Sequence, residues 1–75
     1  MALRTLKAEI TGCVWKIETR SGQAVPAGAV LLVMESMKME IPLAAPVAGV
    51  VKEICVSEGD MAAEGDALVV METES

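Results

Sequence analysis

The sequence predicts an all-β domain with an internal two-fold repeat, on three observations. Its apolar segments run only four to eight residues, turn signals punctuate them, and the chain matches itself when slid by 37 positions. The slide aligns residues 8–36 with residues 45–73 without a gap, and ten of the 29 pairs are identical. Three of those pairs are glycines, Gly12/Gly49, Gly22/Gly59 and Gly28/Gly65. Glycine serves where φ is positive or where another backbone comes close, so matched glycines imply matched turns and halves that fold alike. Stacked repeat arrays normally need about three copies or more, so two copies point to a closed domain with approximate two-fold symmetry.

Taken in chain order, residues 12–18 (Gly-Cys-Val-Trp-Lys-Ile-Glu) are rich in β-branched side chains and partly alternating, which reads as a strand. Turn signals follow at Ser21-Gly22 and Pro26-Ala27-Gly28. Residues 29–35 form a short continuous apolar run, as expected of a strand covered on both faces or crowded at one end. Residues 31–40 also suit a helix by propensity. However, the second copy of that helix would be a stub at the chain end, whereas the repeat gives the same strand twice. A reversal at Ser36-Met37-Lys38 then leads into a strand over 39–43. Residues 49–56 repeat the first strand, Glu58-Gly59-Asp60 and Gly65-Asp66 repeat the turns, and residues 67–72 repeat the apolar run.

Composition excludes several function classes. At 75 residues the chain makes a single domain, 1–75, whose hydrophobic fraction of 53% includes one aromatic residue, Trp15, so the core must be aliphatic. There is no stacking platform for bases, and Arg4, Lys7, Lys16, Arg20, Lys38 and Lys52 are scattered over a chain of formal charge -5, which disfavours nucleic acid. The longest apolar run, residues 29–34, is far below the roughly 20 residues of a spanning helix, so no membrane partner is expected. Cys13 and Cys55 lack close Cys or His neighbours, which argues against zinc. Both are expected to be reduced and mostly buried, in keeping with a cytoplasmic protein. With no histidine and no Gly-rich phosphate loop, an enzyme is not expected. Glu58, Asp60, Glu64 and Asp66 read as a solvated face at turns.

The reversal is where local rules break. If 29–35 and 39–43 are antiparallel, the simplest link is a two-residue turn on Met37-Lys38, which needs positive φ at both positions and normally recruits Asn-Gly or Asp-Gly. Violations of this kind concentrate at functional sites. Such a turn would hold the Lys38 amine in water between two exposed methionines, Met37 and Met39, whose adaptable thioethers suit contact with a partner. Lys7, Lys16 and Lys52 lack this context, and the repeat partner of Lys38 is Ser75.

Glu35-Ser36-Met37-Lys38-Met39 closely resembles the Glu-Ala-Met-Lys-Met biotinylation motif of biotin carboxyl carriers, with Ser36 the one departure. The likeness to biotin/lipoyl attachment domains extends through Ala45-Pro46, Gly49, Glu58-Gly59-Asp60 and Gly65-Asp66, over roughly residues 9–71. Because the likeness covers nearly all of the sequence, the resemblance leads us to expect a free-standing member of that family. The resemblance implies a flattened β-barrel, or barrel-sandwich hybrid, of two four-stranded antiparallel sheets. It also implies covalent biotin on Lys38, with Met37, Met39 and Glu35 contributing to recognition. A solvated alkylamine is almost wholly protonated at neutral pH, so activation must come from outside. In the family a biotin protein ligase supplies it as biotinyl-adenylate. The implied role is a non-catalytic carrier that shuttles a carboxyl group between biotin carboxylase and carboxyltransferase. The alternatives are lipoate on the same lysine, or an unmodified docking or scaffold barrel.

Overall fold

The computed structural model describes residues 2–74. In chain order the strands are β1 (Ala2–Lys7), β2 (Gly12–Ile17), β3 (Ala24–Val25), β4 (Val30–Ser36), β5 (Met39–Ala44), β6 (Gly49–Ile54), β7 (Met61–Ala62) and β8 (Ala67–Thr73). They form two antiparallel four-stranded sheets, ordered β1-β8-β6-β3 and β5-β4-β2-β7, which face each other as a flattened sandwich. No helix among the described residues is long and apolar enough to cross a membrane.

Adding 37 to the bounds of β1–β4 returns the bounds of β5–β8. The repeat is therefore longer than its identities show. Strand β1 pairs with β8 as β5 pairs with β4, although β1 and β5 share only Leu6/Leu43. The sequence reading did not anticipate β1, nor the two-residue strands β3 and β7. Hydrogen bonds outside the ladders obey the same shift. The Gly22 amide donates to the Val51 carbonyl at 2.7 Å as Gly59 donates to Val14 at 2.8 Å.

The core comes from the inward residues of both sheets. Leu31, Leu32, Leu68, Met71, Val14, Val51 and Val69 are fully buried. Consecutive leucines cannot both face inward on a regular strand, since side chains alternate. The β4–β5 register shifts between Val30 and Leu32, and this bulge turns Leu31 and Leu32 both toward the core. A matching shift at Leu6/Lys7 does the same for Leu68 and Val69. These bulges explain why the two apolar runs looked continuous. A second bulge pair leaves Trp15 and Lys52 out of register, and Trp15 remains 49% exposed.

Two expectations need correction. Cys55 is exposed and Cys13 only half-buried, both as free thiols, because Cys13 faces outward between the buried Gly12 and Val14 of β2 and Cys55 follows the end of β6. The acidic turn residues are more than a solvated face. Asp60 and Asp66 accept the amides of Ser57 and Ala63, at 2.8 and 2.9 Å, and Glu58 accepts the Ile17 amide at 2.9 Å beside the Trp15 bulge.

The matched glycines divide into two kinds. Gly28 and Gly65 sit at φ +88° and +92° with open space beside them, so conformation alone demands glycine. Gly12 and Gly49 lie where a Cβ would come within 2.7 and 2.5 Å of the Glu35 and Glu72 carbonyl oxygens, so close approach demands it. Gly28→Val and Gly65→Val are each expected to cost about 1–2 kcal/mol, the penalty for a side chain in a left-handed conformation. Thermal unfolding followed by circular dichroism measures this, and unchanged Tm values in both variants would refute the matched-turn reading.

Candidate functional site

Strands β4 and β5 continue their ladder to the last pair, Ser36 opposite Met39, which leaves Met37 and Lys38 as a two-residue turn. Their φ values are 52° and 66°, and among the described residues they are the only non-glycine positions with positive φ. Both signs match the type I′ hairpin that the reversal required. Every other positive-φ position among the described residues is a glycine. The chain thus meets its turns with the residue that tolerates them, except at this tip.

The tip projects its side chains into water. Met37 is 92% and Met39 64% exposed, which excludes a core role for either, and Lys38 is exposed between them. Among the described residues the one ion pair is Lys16–Glu18 at 3.7 Å, so no carboxylate ties down the Lys38 amine. Glu35 is exposed on β4 directly opposite Glu40 on β5. Like charges directly across strands are destabilising. The four residues singled out from sequence, Glu35, Met37, Lys38 and Met39, therefore share one hairpin end.

Three contributors at the root of the hairpin were not anticipated. The Ser36 hydroxyl donates to the Thr11 carbonyl at 3.1 Å, and the Thr11 hydroxyl accepts the Glu64 amide at 3.0 Å. Gly12, next to Thr11, gives the backbone room to pass the Glu35 carbonyl and the Ser36 Cβ. On the sheet beyond, Cys13 of β2 pairs with Glu35 on one side and with Met61 of β7 on the other, and Met61 is 71% exposed. No group of three or more His, Cys, Asp or Glu side chains among the described residues is arranged to hold a metal.

The hairpin thus presents the Lys38 amine at its apex, exposed and without an ion pair among the described residues. A family model described as biotin-requiring enzyme matches residues 5–71. The chain is 40% identical over 65 residues to a biotin/lipoyl attachment protein of Bacillus subtilis, covering 87% of this chain and 89% of the relative. It is 42% identical over 66 residues to a biotinylated protein homologue of Mycobacterium leprae, covering 88% and 93%. Among solved structures it superposes on a single-chain, multi-domain long-chain acyl-CoA carboxylase with a TM-score of 0.89 at 37% identity, covering 96% of this chain and 7% of that one. The chain belongs to the biotin/lipoyl attachment family.

The strain at the tip has a measurable consequence. Replacing Met37 with Asn and Lys38 with Gly should raise stability by about 1–2 kcal/mol, because both residues then suit positive φ. Denaturant unfolding reads the gain, and a double variant no more stable than the parent would mean that the turn carries no strain.

Proposed function

We propose that the chain is a biotin carboxyl carrier, with Lys38 as its attachment point. The observation that carries this reading is the exposed, unpaired Lys38 on a type I′ turn, between Met37 and Met39. A primary amine that no neighbouring carboxylate holds fits a group joined through an amide. Biotin bound there supplies a ring nitrogen that accepts a carboxyl group and gives it up again.

The chain's own residues do the presenting. The β4–β5 ladder, paired from Val30 to Ser36, makes a stiff base that holds the amine clear of the sandwich. Amide formation would remove the Lys38 charge and leave Glu35 and Glu40 as the nearest ionised groups along the hairpin. Met37 and Met39 offer soft, adaptable contacts to a biotin protein ligase, and Glu35 adds a polar contact on the outer face. Tethering on one domain raises the effective concentration of the carried group at both enzymes it visits. Those enzymes are a biotin carboxylase and a carboxyltransferase, a reading supported by the similar domain found in the solved acyl-CoA carboxylase. The two free cysteines suit a reducing, cytoplasmic setting. Residues 1–75 are read as one attachment domain.

The test is intact mass after incubation with a biotin protein ligase, biotin and ATP, with Lys38→Arg treated in parallel. One biotinyl increment on the parent and none on the variant is the expected result. An increment that persists in Lys38→Arg would move the site, and a lipoyl increment on protein from its own cells would change the cargo. Met37→Ala should slow modification by about tenfold, the loss of roughly 1.4 kcal/mol of contact, while Tm stays within about 2 °C. Equal rates would make Met37 a bystander.

A further inference from the structure

We propose that Ser36 is a positioning residue for the lysine hairpin, acting with Thr11 and Glu64 as a brace that fixes the direction in which Lys38 is presented. The inference rests on the reading of Lys38 as the attachment point and names what orders it. Ser36 is the last residue of β4 before the turn, and its hydroxyl donates to the Thr11 carbonyl at 3.1 Å. Thr11 lies in the β1–β2 connection and is held in turn, since its hydroxyl accepts the Glu64 amide from the β7–β8 turn at 3.0 Å. Three separate segments thereby meet at the hairpin root.

The repeat supplies an internal control. The second half makes the equivalent junction between β8 and the β5–β6 connection, and Gly49 gives the same close approach there as Gly12 gives here. The residue in place of Thr11 is Ala48, which has no hydroxyl to accept the backbone amide of Ala27, the counterpart of Glu64. The Thr73 hydroxyl, in place of Ser36, donates to the Ala2 carbonyl at 3.4 Å. The fold thus closes at this junction without the Thr11 hydroxyl. The glycine is a requirement of the architecture, and the link through the Thr11 hydroxyl belongs to the half that carries the lysine.

A physical need for it exists at the same place. Met37 and Lys38 hold positive φ without the Asn-Gly chemistry that stabilises such turns, and the adjacent Glu35–Glu40 pair works against the ladder. A tip with these handicaps samples other directions unless something outside the turn restrains it. When the competent conformer is only partly populated, apparent affinity falls by that fraction. The brace therefore acts on how well a partner captures the tip, and leaves the chemistry of the amine alone.

The experiment compares Ser36→Ala and Thr11→Ala with Ser36→Thr, which keeps the hydroxyl and copies the residue found at position 73. Amide hydrogen exchange on the unmodified protein should accelerate about fivefold at Met37, Lys38 and Met39 in both alanine variants, as expected for one lost hydrogen bond of ordinary net strength, with β6 and β8 unchanged. Ligase kinetics should show KM for the carrier raised by a similar factor at constant kcat, and Ser36→Thr should restore both readouts. Parental exchange at the tip in both alanine variants overturns the brace. So does acceleration spread evenly over both sheets, which would mark the hydroxyls as merely structural. If the parent takes no biotin on Lys38, the carrier reading fails, while the exchange comparison still decides the brace.

Discussion

Each sheet draws its two inner strands from one half of the chain and its two edges from the other. In one sheet β8 and β6 lie between β1 and β3, and in the other β4 and β2 lie between β5 and β7. Neither half can complete a sheet or cover its own apolar face, so the two halves must be folded together. The side chains that enforce this are repeat-related pairs, Val14 with Val51, Leu31 with Leu68, Leu32 with Val69 and Met34 with Met71, all buried. Burying an aliphatic side chain of this size contributes roughly 1.5–3 kcal/mol. In a domain without disulfides or aromatic core residues, that interlock is the chief source of stability.

The hairpin is placed by the same interlock. Strand β4 is an inner strand, paired to β2 on one side and β5 on the other, so Glu35, the residue before its last, cannot shift without disturbing both ladders. This is why Met37 and Lys38 can be held at positive φ while the four positive-φ glycines serve the remaining tight turns. Stability gathered across the sandwich is concentrated against strain at one point, and that point carries the exposed lysine.

Much of this was legible in the sequence, and the reasons differ by element. Gly12, Gly22 and Gly28, with their partners, exposed the repeat because backbone geometry leaves no alternative to glycine at those positions. The turn at Met37-Lys38 was legible because two strands and a short connection force a reversal there. Strand β1 was not, since it shares one identity with β5 and an edge strand needs only compatible residues, Pro42 in β5 included. The exposure of Cys55 was misjudged because apolar preference is a statistical property, whereas strand ends decide individual cases. The Ser36–Thr11–Glu64 contacts join residues far apart in the chain through single hydroxyls, and no periodicity announces them. A Thr at position 73, in the place of Ser36, was the one available hint.

The pairing of Ala2 with Thr73 has a topological consequence. It is the symmetry mate of the pairing of Ser36 with Met39, so the first and last strands meet where the other sheet has its turn. A polypeptide continuing from either end would leave through neighbouring points, and neither exit lies on the hairpin. The unit can be spliced into a longer chain, or hung from one, through the sheet that does not carry the hairpin.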